Sequence, residues 1–276
     1  MMEFERHKLN REFEWKSHEG RLQRVTPEQA SAYNEQGFFV LEDAFDCDLL
    51  ERVIAEIDPI EAKFEQFLRT QKDGKLFIAR ADEITFTAHL VLRSSLLRDF
   101  CGGPVFQGLV HDLIGPDVRL YWDQAVYKKP AAHEPFPWHQ DNGYTYVEPQ
   151  QYLTCWIALT DATLENGCPW VIPGAHRLGT LAHRTSELGF VCAEESPAEA
   201  TPAPARAGSI VVFSSLTPHA TGPNGTSDVR KAYIVQFAPD GAHVLTRENG
   251  EKVRTPASDP DRQFPVLVEG RPPSSS

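Results

Sequence analysis

Two periodicities divide the chain. Thr26 is placed to cap a helix, with Pro27 at its first position, Gln29 completing a capping box and Gly37 as its stop. FFVLEDAF then predicts a strand. DCDLLERVIAEIDPIEAKFEQFLRTQ carries apolar residues at helical spacing, and Pro59 within it predicts one kinked helix or two short ones. SSLLRDFCGGPVFQGLVHDLIG predicts two more short helices, punctuated by Gly102, Gly103 and Pro104. From Asp117 the period drops to two. VRLYWDQAVYKKP, QYLTCWIALTDAT, GSIVVFSS and RKAYIVQFAP alternate, and their branched and aromatic residues predict strands. ENGCPW supplies a turn before VIPGAHRLG. The stretch 193–208 is rich in Pro, Ala and Glu, lacks periodicity and predicts a loop.

No repeat of 20 to 50 residues appears. Residues 1–24 are polar and expected to form a peripheral arm. Residues 255–276, ending PPSSS, are expected to be an extended or disordered Pro/Ser-rich tail. Between them, 25–254 is expected to form one domain: a two-sheet barrel or jelly roll backed by N-terminal helices.

Composition removes some function classes. Lys and Arg number 27 against 39 Asp and Glu, a net charge of −12 that argues against nucleic acid or an anionic membrane as partner. The five cysteines (Cys47, Cys101, Cys155, Cys168, Cys192) form no C-x-x-C pair, so neither a disulfide framework nor a thiolate zinc site is indicated. The charged N-terminus lacks a signal-like apolar region, and no run of about 18 apolar residues occurs, so a cytoplasmic protein is expected. A monomer or homodimer acting on a small molecule is the expected organisation.

The chemistry begins at PFPWHQDNGY. On an extended segment, His139 and Asp141 project to one face. Alone this is weak, since the chain has ten histidines. LTPHATGPNGTSDVRKAY adds His219 and, eleven residues later, Arg230. Two imidazoles and a carboxylate form the facial triad that holds Fe(II) with its other positions open. A guanidinium at Arg230 suits the far carboxylate of a 2-oxo acid that chelates such an iron.

The ordered matches WHQD at Trp138–Asp141, WIALTDATLENGCPWVIPGAH at Trp156–His176, and the His219/Arg230 pair extend over about residues 30–240. In them the chain resembles the phytanoyl-CoA dioxygenase (PhyH) family of Fe(II)- and 2-oxoglutarate-dependent oxygenases. The resemblance implies a mainly β fold with helices (α+β): a double-stranded β-helix, jelly-roll and cupin-like. It implies His139, Asp141 and His219 as iron ligands and Arg230 on the distal carboxylate of 2-oxoglutarate. Thr221 and Trp156 would help to hold that cosubstrate. Two positions depart from the family pattern. Ala175 stands where relatives have a serine, and Ala125 stands where they often place a long side chain, so neighbouring Gln124 or another group is expected to take over.

The implied activity is hydroxylation of an unactivated C–H bond of a small or medium-sized metabolite. O₂ is consumed, and 2-oxoglutarate becomes succinate and CO₂. Related halogenases lack the carboxylate, so Asp141 favours hydroxylation over halogenation. The alternatives are desaturation, epoxidation or cyclisation at the same site, a non-catalytic metal-binding β-helix, or a cupin-type isomerase or zinc hydrolase. The last would leave Arg230 and Thr221 unexplained. His176, after a Pro-Gly turn, reads as structural, and Trp170 as a core aromatic. Lys128 and Lys129 read as a solvated pair, with Lys129 and Tyr144 as minority candidates for the substrate. The stretches 70–90 and 193–208 are candidate lids.

Overall fold

The computed structural model describes residues 4–17, 20–130, 132–248 and 251–274. Helix α1 (Pro27–Gln36) starts and stops as its caps dictate. Thr26 and Gln29 form the reciprocal capping box, and Gly37 closes the helix at φ 87°. Helix α2 (Cys47–Thr70) is a single 24-residue helix running through Pro59, not two. Proline there removes one backbone bond, at a cost of about 3 kcal/mol. The buried stripe of Leu50, Val53, Ile57 and Leu68 offsets that loss. The two short helices expected next are α3 (Ser95–Cys101) and α4 (Pro104–Leu113).

The strands form two principal antiparallel sheets. The larger has nine strands and is centred on Arg230–Pro239, which pairs with Val118–Lys128 on one side and Leu153–Ala158 on the other. The smaller orders Thr201–Pro202, Pro169–Val171, His219–Thr221 and Phe136–His139. One core cluster joins the helices to the large sheet, with Val53, Ile57 and Leu109 against Tyr127, Cys155 and Val235. A second lies between the sheets, where Trp156, Val126 and Ile234 meet Phe136 and Val171. The fold is therefore mainly β with helices, a jelly-roll double-stranded β-helix backed on one side by α1–α4. Among the described residues, no helix is long and apolar enough to cross a membrane, and all five cysteines are free.

Several expectations are corrected. The strand expected over FFVLEDAF ends at Leu41, and Asp43 turns the chain at φ 50°. The peripheral N-terminal arm is packed on the domain. Asn10 is buried and donates to the carbonyls of Leu178 and Thr180, while Trp15 donates to Asn34 and sets its edge on His176. The Asp112 carboxylate accepts from the backbone of Gln23, Arg24 and Val25. The tail is packed on the domain over part of its described length. Pro265–Leu267 adds as a strand to the edge of Val118–Lys128, burying Val266 and Leu267. An open sheet edge and an apolar PVL segment satisfy each other. Deleting residues 257–276 is expected to destabilise the protein by about 4 kcal/mol, from two fully buried aliphatic side chains, read as a lower urea midpoint.

The 193–208 stretch is pinned by Thr201–Pro202 on the small sheet and by buried Ala203 and Ala205. Residues 75–88 form a hairpin (Lys75–Leu76 with Ala79–Arg80) followed by strand Ile84–Ala88 at the other end of the large sheet.

Candidate active site

His139 ends its strand and His219 begins another, and the two are direct cross-strand partners. Their imidazoles lie 4.1 Å apart, centroid to centroid. Asp141 is not on a strand, as the alternation argument assumed, but opens a short helix, α5 (Asp141–Tyr144). Gln140 still turns His139 and Asp141 to the same side, because its backbone is extended (φ −110°, ψ 145°). Gln140 points its fully buried amide the other way, to Gly179, Leu181 and Leu216. One donor atom each from His139, Asp141 and His219 lies within 4.8 Å of the others.

Both imidazoles are oriented alike. Nδ1 of His139 stands 2.8 Å from the Pro137 carbonyl, and Nδ1 of His219 stands 3.0 Å from that of Thr217. A carbonyl can only accept, so each Nδ1 carries the proton and each Nε2 offers a lone pair. Burial holds both rings neutral, pushing His139 down to about 3 and His219 to about 4. Burial raises the Asp141 carboxyl, while the neighbouring His139 and the hydroxyl of Thr154 (2.5 Å) oppose that shift. Two neutral imidazoles and a desolvated carboxylate with no cation beside them are a donor set suited to a divalent metal.

Two supports escaped the sequence reading. Thr154, on the large sheet, holds Asp141 and is itself approached by Gln236 at 3.4 Å. His183 accepts the Gln140 N–H at 2.9 Å, and its ring lies where a Cβ on Gly143 would be. No sequence spacing marks either contact, because both cross between distant segments.

Arg230 is 1% exposed, yet Nε, Nη1 and Nη2 all lack a partner among the described residues. Its guanidinium sits 5.1 Å from the Trp156 ring centroid, and burial lowers it to about 10. Directly across the ladder lies Lys128, also 1% exposed. Its ammonium donates to Thr221 Oγ1 at 3.3 Å and to the Gly222 carbonyl. Burial first, then the charge of Arg230, pushes Lys128 down to about 7. The solvated Lys128/Lys129 pair is thus corrected. Period two sends Lys128 inward, whereas Lys129 leaves the site to bind Glu61 on α2 at 2.7 Å. The same alternation places Gln124 on a cavity wall and Ala125 in the outer core against the helices.

The cavity, about 420 Å³, opens onto His139 and Asp141 and includes Gln124, Tyr144 and Gln236. Tyr144 packs 5.3 Å from the His139 ring. The 70–90 stretch contributes Phe77, Ile78, Phe86 and Ala88 to its wall; 193–208 contributes nothing. His176 is buried against Trp15 and Gly37, away from the triad, and Trp170 packs between two core clusters.

The comparisons with known proteins agree with this geometry. The family model for phytanoyl-CoA dioxygenase (PhyH) matches residues 33–232. Phytanoyl-CoA dioxygenase domain-containing protein 1 of Mus musculus is 27% identical over 273 residues, covering 82% of this chain and 94% of that protein. Two solved structures share the fold. The epimerase SnoN, in complex with Fe³⁺, α-ketoglutarate and nogalamycin RO, superposes with a TM-score of 0.68 at 21% identity, over 87% of this chain and 97% of its own. The α-ketoglutarate-dependent carbocyclase SnoK of nogalamycin biosynthesis gives 0.65 at 23%, over 82% and 89%. With the family model spanning well over half its length, the chain belongs to the phytanoyl-CoA dioxygenase (PhyH) family.

Proposed function

We propose that this protein is an Fe(II)- and 2-oxoglutarate-dependent oxygenase that hydroxylates a C–H bond of a small or medium-sized molecule. The observation that carries this reading is the buried Arg230, which has no hydrogen-bond partner among the described residues, inside the same barrel as the His139–Asp141–His219 group. Each buried polar group left without a partner costs about 1–3 kcal/mol, and charged groups cost more. A guanidinium whose three nitrogens all lack a hydrogen-bond partner among the described residues therefore points to a ligand bearing a carboxylate.

In this reading His139, Asp141 and His219 hold iron. The bound iron supplies the oxygen activation that couples decarboxylation of 2-oxoglutarate to oxidation of the substrate. The protein's own share is positional. Arg230 and the Thr221 hydroxyl take the distal carboxylate, Trp156 packs beside it, and Lys128 adds a second positive charge. Thr154 holds the Asp141 carboxylate in orientation, and the carbonyls of Pro137 and Thr217 keep both histidines in the metal-binding tautomer. Gln124 and Tyr144 line the cavity in which the substrate meets the metal. The epimerase and carbocyclase among the structural neighbours favour a second reading, in which this site closes a ring or inverts a centre. Product analysis decides between the two.

The test is anaerobic titration of 2-oxoglutarate into the Fe(II)-loaded protein, followed by the visible charge-transfer band of an iron-chelated 2-oxo acid. No band at saturating 2-oxoglutarate would remove the proposal. The affinity should also depend on pH. Lys128 is cationic below about 7 and neutral above, so binding of the dianion should weaken as pH rises through that value. Lys128→Met should bind more weakly below that value and with a flatter profile.

A further inference from the structure

The cavity wall is specific about what it can accept. Nine of its eighteen residues are aromatic, among them Phe77, Phe86, Trp122, Phe136, Tyr144 and Phe190. Beyond the candidate metal ligands His139 and Asp141, none of the eighteen is a Lys, Arg, Asp, Glu or His. The buried cations Arg80, Lys128 and Arg230 are all absent from the wall. Gln124, Thr145, Gln236 and the tyrosine hydroxyls are its polar groups.

The mouth carries a second sign. Phe77, at the tip of the hairpin formed by Lys75–Leu76 and Ala79–Arg80, has φ 52° and is 63% exposed. A bulky residue in the left-handed region is a backbone outlier, and such outliers gather at functional sites. Its ring meets Tyr144 at 6.4 Å and Phe190 at 6.1 Å, and Tyr144 in turn meets His139 at 5.3 Å. Ring contacts thus run without a break from solvent to the candidate metal ligand. Gly189, at φ 111°, permits this approach, since a Cβ there would overlap Ile78 and the Tyr144 hydroxyl.

We propose that the substrate is an uncharged, ring-bearing, largely apolar molecule with one or a few hydroxyl or carbonyl groups, stacked along this aromatic wall under Phe77. The assignment rests on the oxygenase reading of the site and narrows its substrate. A volume near 420 Å³ falls in the range that encloses compact multi-ring ligands. Aromatic walls reward flat faces at offset or edge-on geometry. A coenzyme A thioester or an oxyanion would bring phosphate or negative charge against a wall that offers no Lys or Arg, leaving that charge desolvated and unpaired. Membership of a family named for an acyl-CoA therefore does not extend to this substrate.

Equilibrium dialysis with metal-free protein tests the proposal separately from iron chemistry. The probes are 9-fluorenol, flavone and estradiol, with fluorene-9-carboxylate and palmitoyl-CoA as anionic counterparts. At least one neutral probe should bind, and fluorene-9-carboxylate should bind about tenfold or more weakly than 9-fluorenol. Phe77→Ala should weaken the neutral probe about tenfold, the loss of one aromatic anchor. Phe77→Arg should narrow the preference against the carboxylate. Phe77 is exposed, so both variants should keep the wild-type circular dichroism. Three results overturn the proposal: no neutral probe binds, an anionic probe binds as tightly as its neutral counterpart, or Phe77→Ala leaves binding unchanged. Neutral-probe binding without Fe(II)-dependent 2-oxoglutarate binding would sink the oxygenase reading and spare the cavity assignment; the reverse result would do the opposite.

Discussion

Replacing His219 by alanine is expected to lower Fe(II) affinity by more than about a hundred-fold, since removing even an outer support of a ligand commonly costs 10–100-fold. The ring is one of three donors within 4.8 Å of one another, and its lone pair is fixed toward the group by the Thr217 carbonyl. The vacated space would be lined by Phe213, which packs 4.5 Å from the His219 ring and cannot replace a ligand. Competition against a metal-sensitive dye measures the affinity, and unchanged far-UV circular dichroism shows that the fold persists. His139→Ala should behave alike, because the two histidines are cross-strand partners with the same hydrogen-bond arrangement. Wild-type Fe(II) affinity in either variant would remove the metal assignment and the function that depends on it.

Arg230→Ala should leave Fe(II) binding intact and weaken 2-oxoglutarate by about 30-fold to several-thousand-fold, the equivalent of about 2–5 kcal/mol for truncating one member of a buried charge pair. In steady-state kinetics the change should fall on KM for 2-oxoglutarate more than on kcat, since in the proposed site Arg230 would hold the end of the cosubstrate remote from the reacting atoms. Arg230→Lys keeps the charge but loses the planar fork, so it should recover only part of the affinity. Equal binding of 2-oxoglutarate by the alanine variant and the wild type would mean that another group receives the carboxylate. Lys128, across the ladder and equally buried, would be the next position to change.

Much of the site was legible in one dimension, for reasons particular to each residue. His139 and Asp141 were readable because extended backbone at Gln140 turns residues two apart to the same side. That inference held although Asp141 itself begins a helix. Lys129 was the wrong lysine of its pair. Adjacent residues at a strand end face opposite ways, and which faced inward depended on the register with Arg230. Ala125 and Gln124 show the same ambiguity. The parity of the strand was visible, while its phase relative to the barrel was not. The C-terminal tail was misread because Pro and Ser dominate its composition. The three residues Pro265–Leu267 find a free sheet edge that no local pattern announces.

Local chemistry in the sequence by itself determined the capped first helix, the switch from helices to strands, and the types and order of the residues able to bind a metal and a carboxylate. These depend on backbone periodicity, caps and side-chain chemistry, all encoded within a few residues. The tertiary structure alone decided that Arg230 is buried without a hydrogen-bond partner among the described residues, that Lys128 stands beside it, that Thr154 and His183 brace the His139–Asp141 segment, and that an aromatic, cation-free cavity adjoins it. Each of those facts joins residues on different elements through sheet register and packing. Burial, the quantity that sets Arg230 apart from an ordinary surface arginine, exists only once the whole chain has folded.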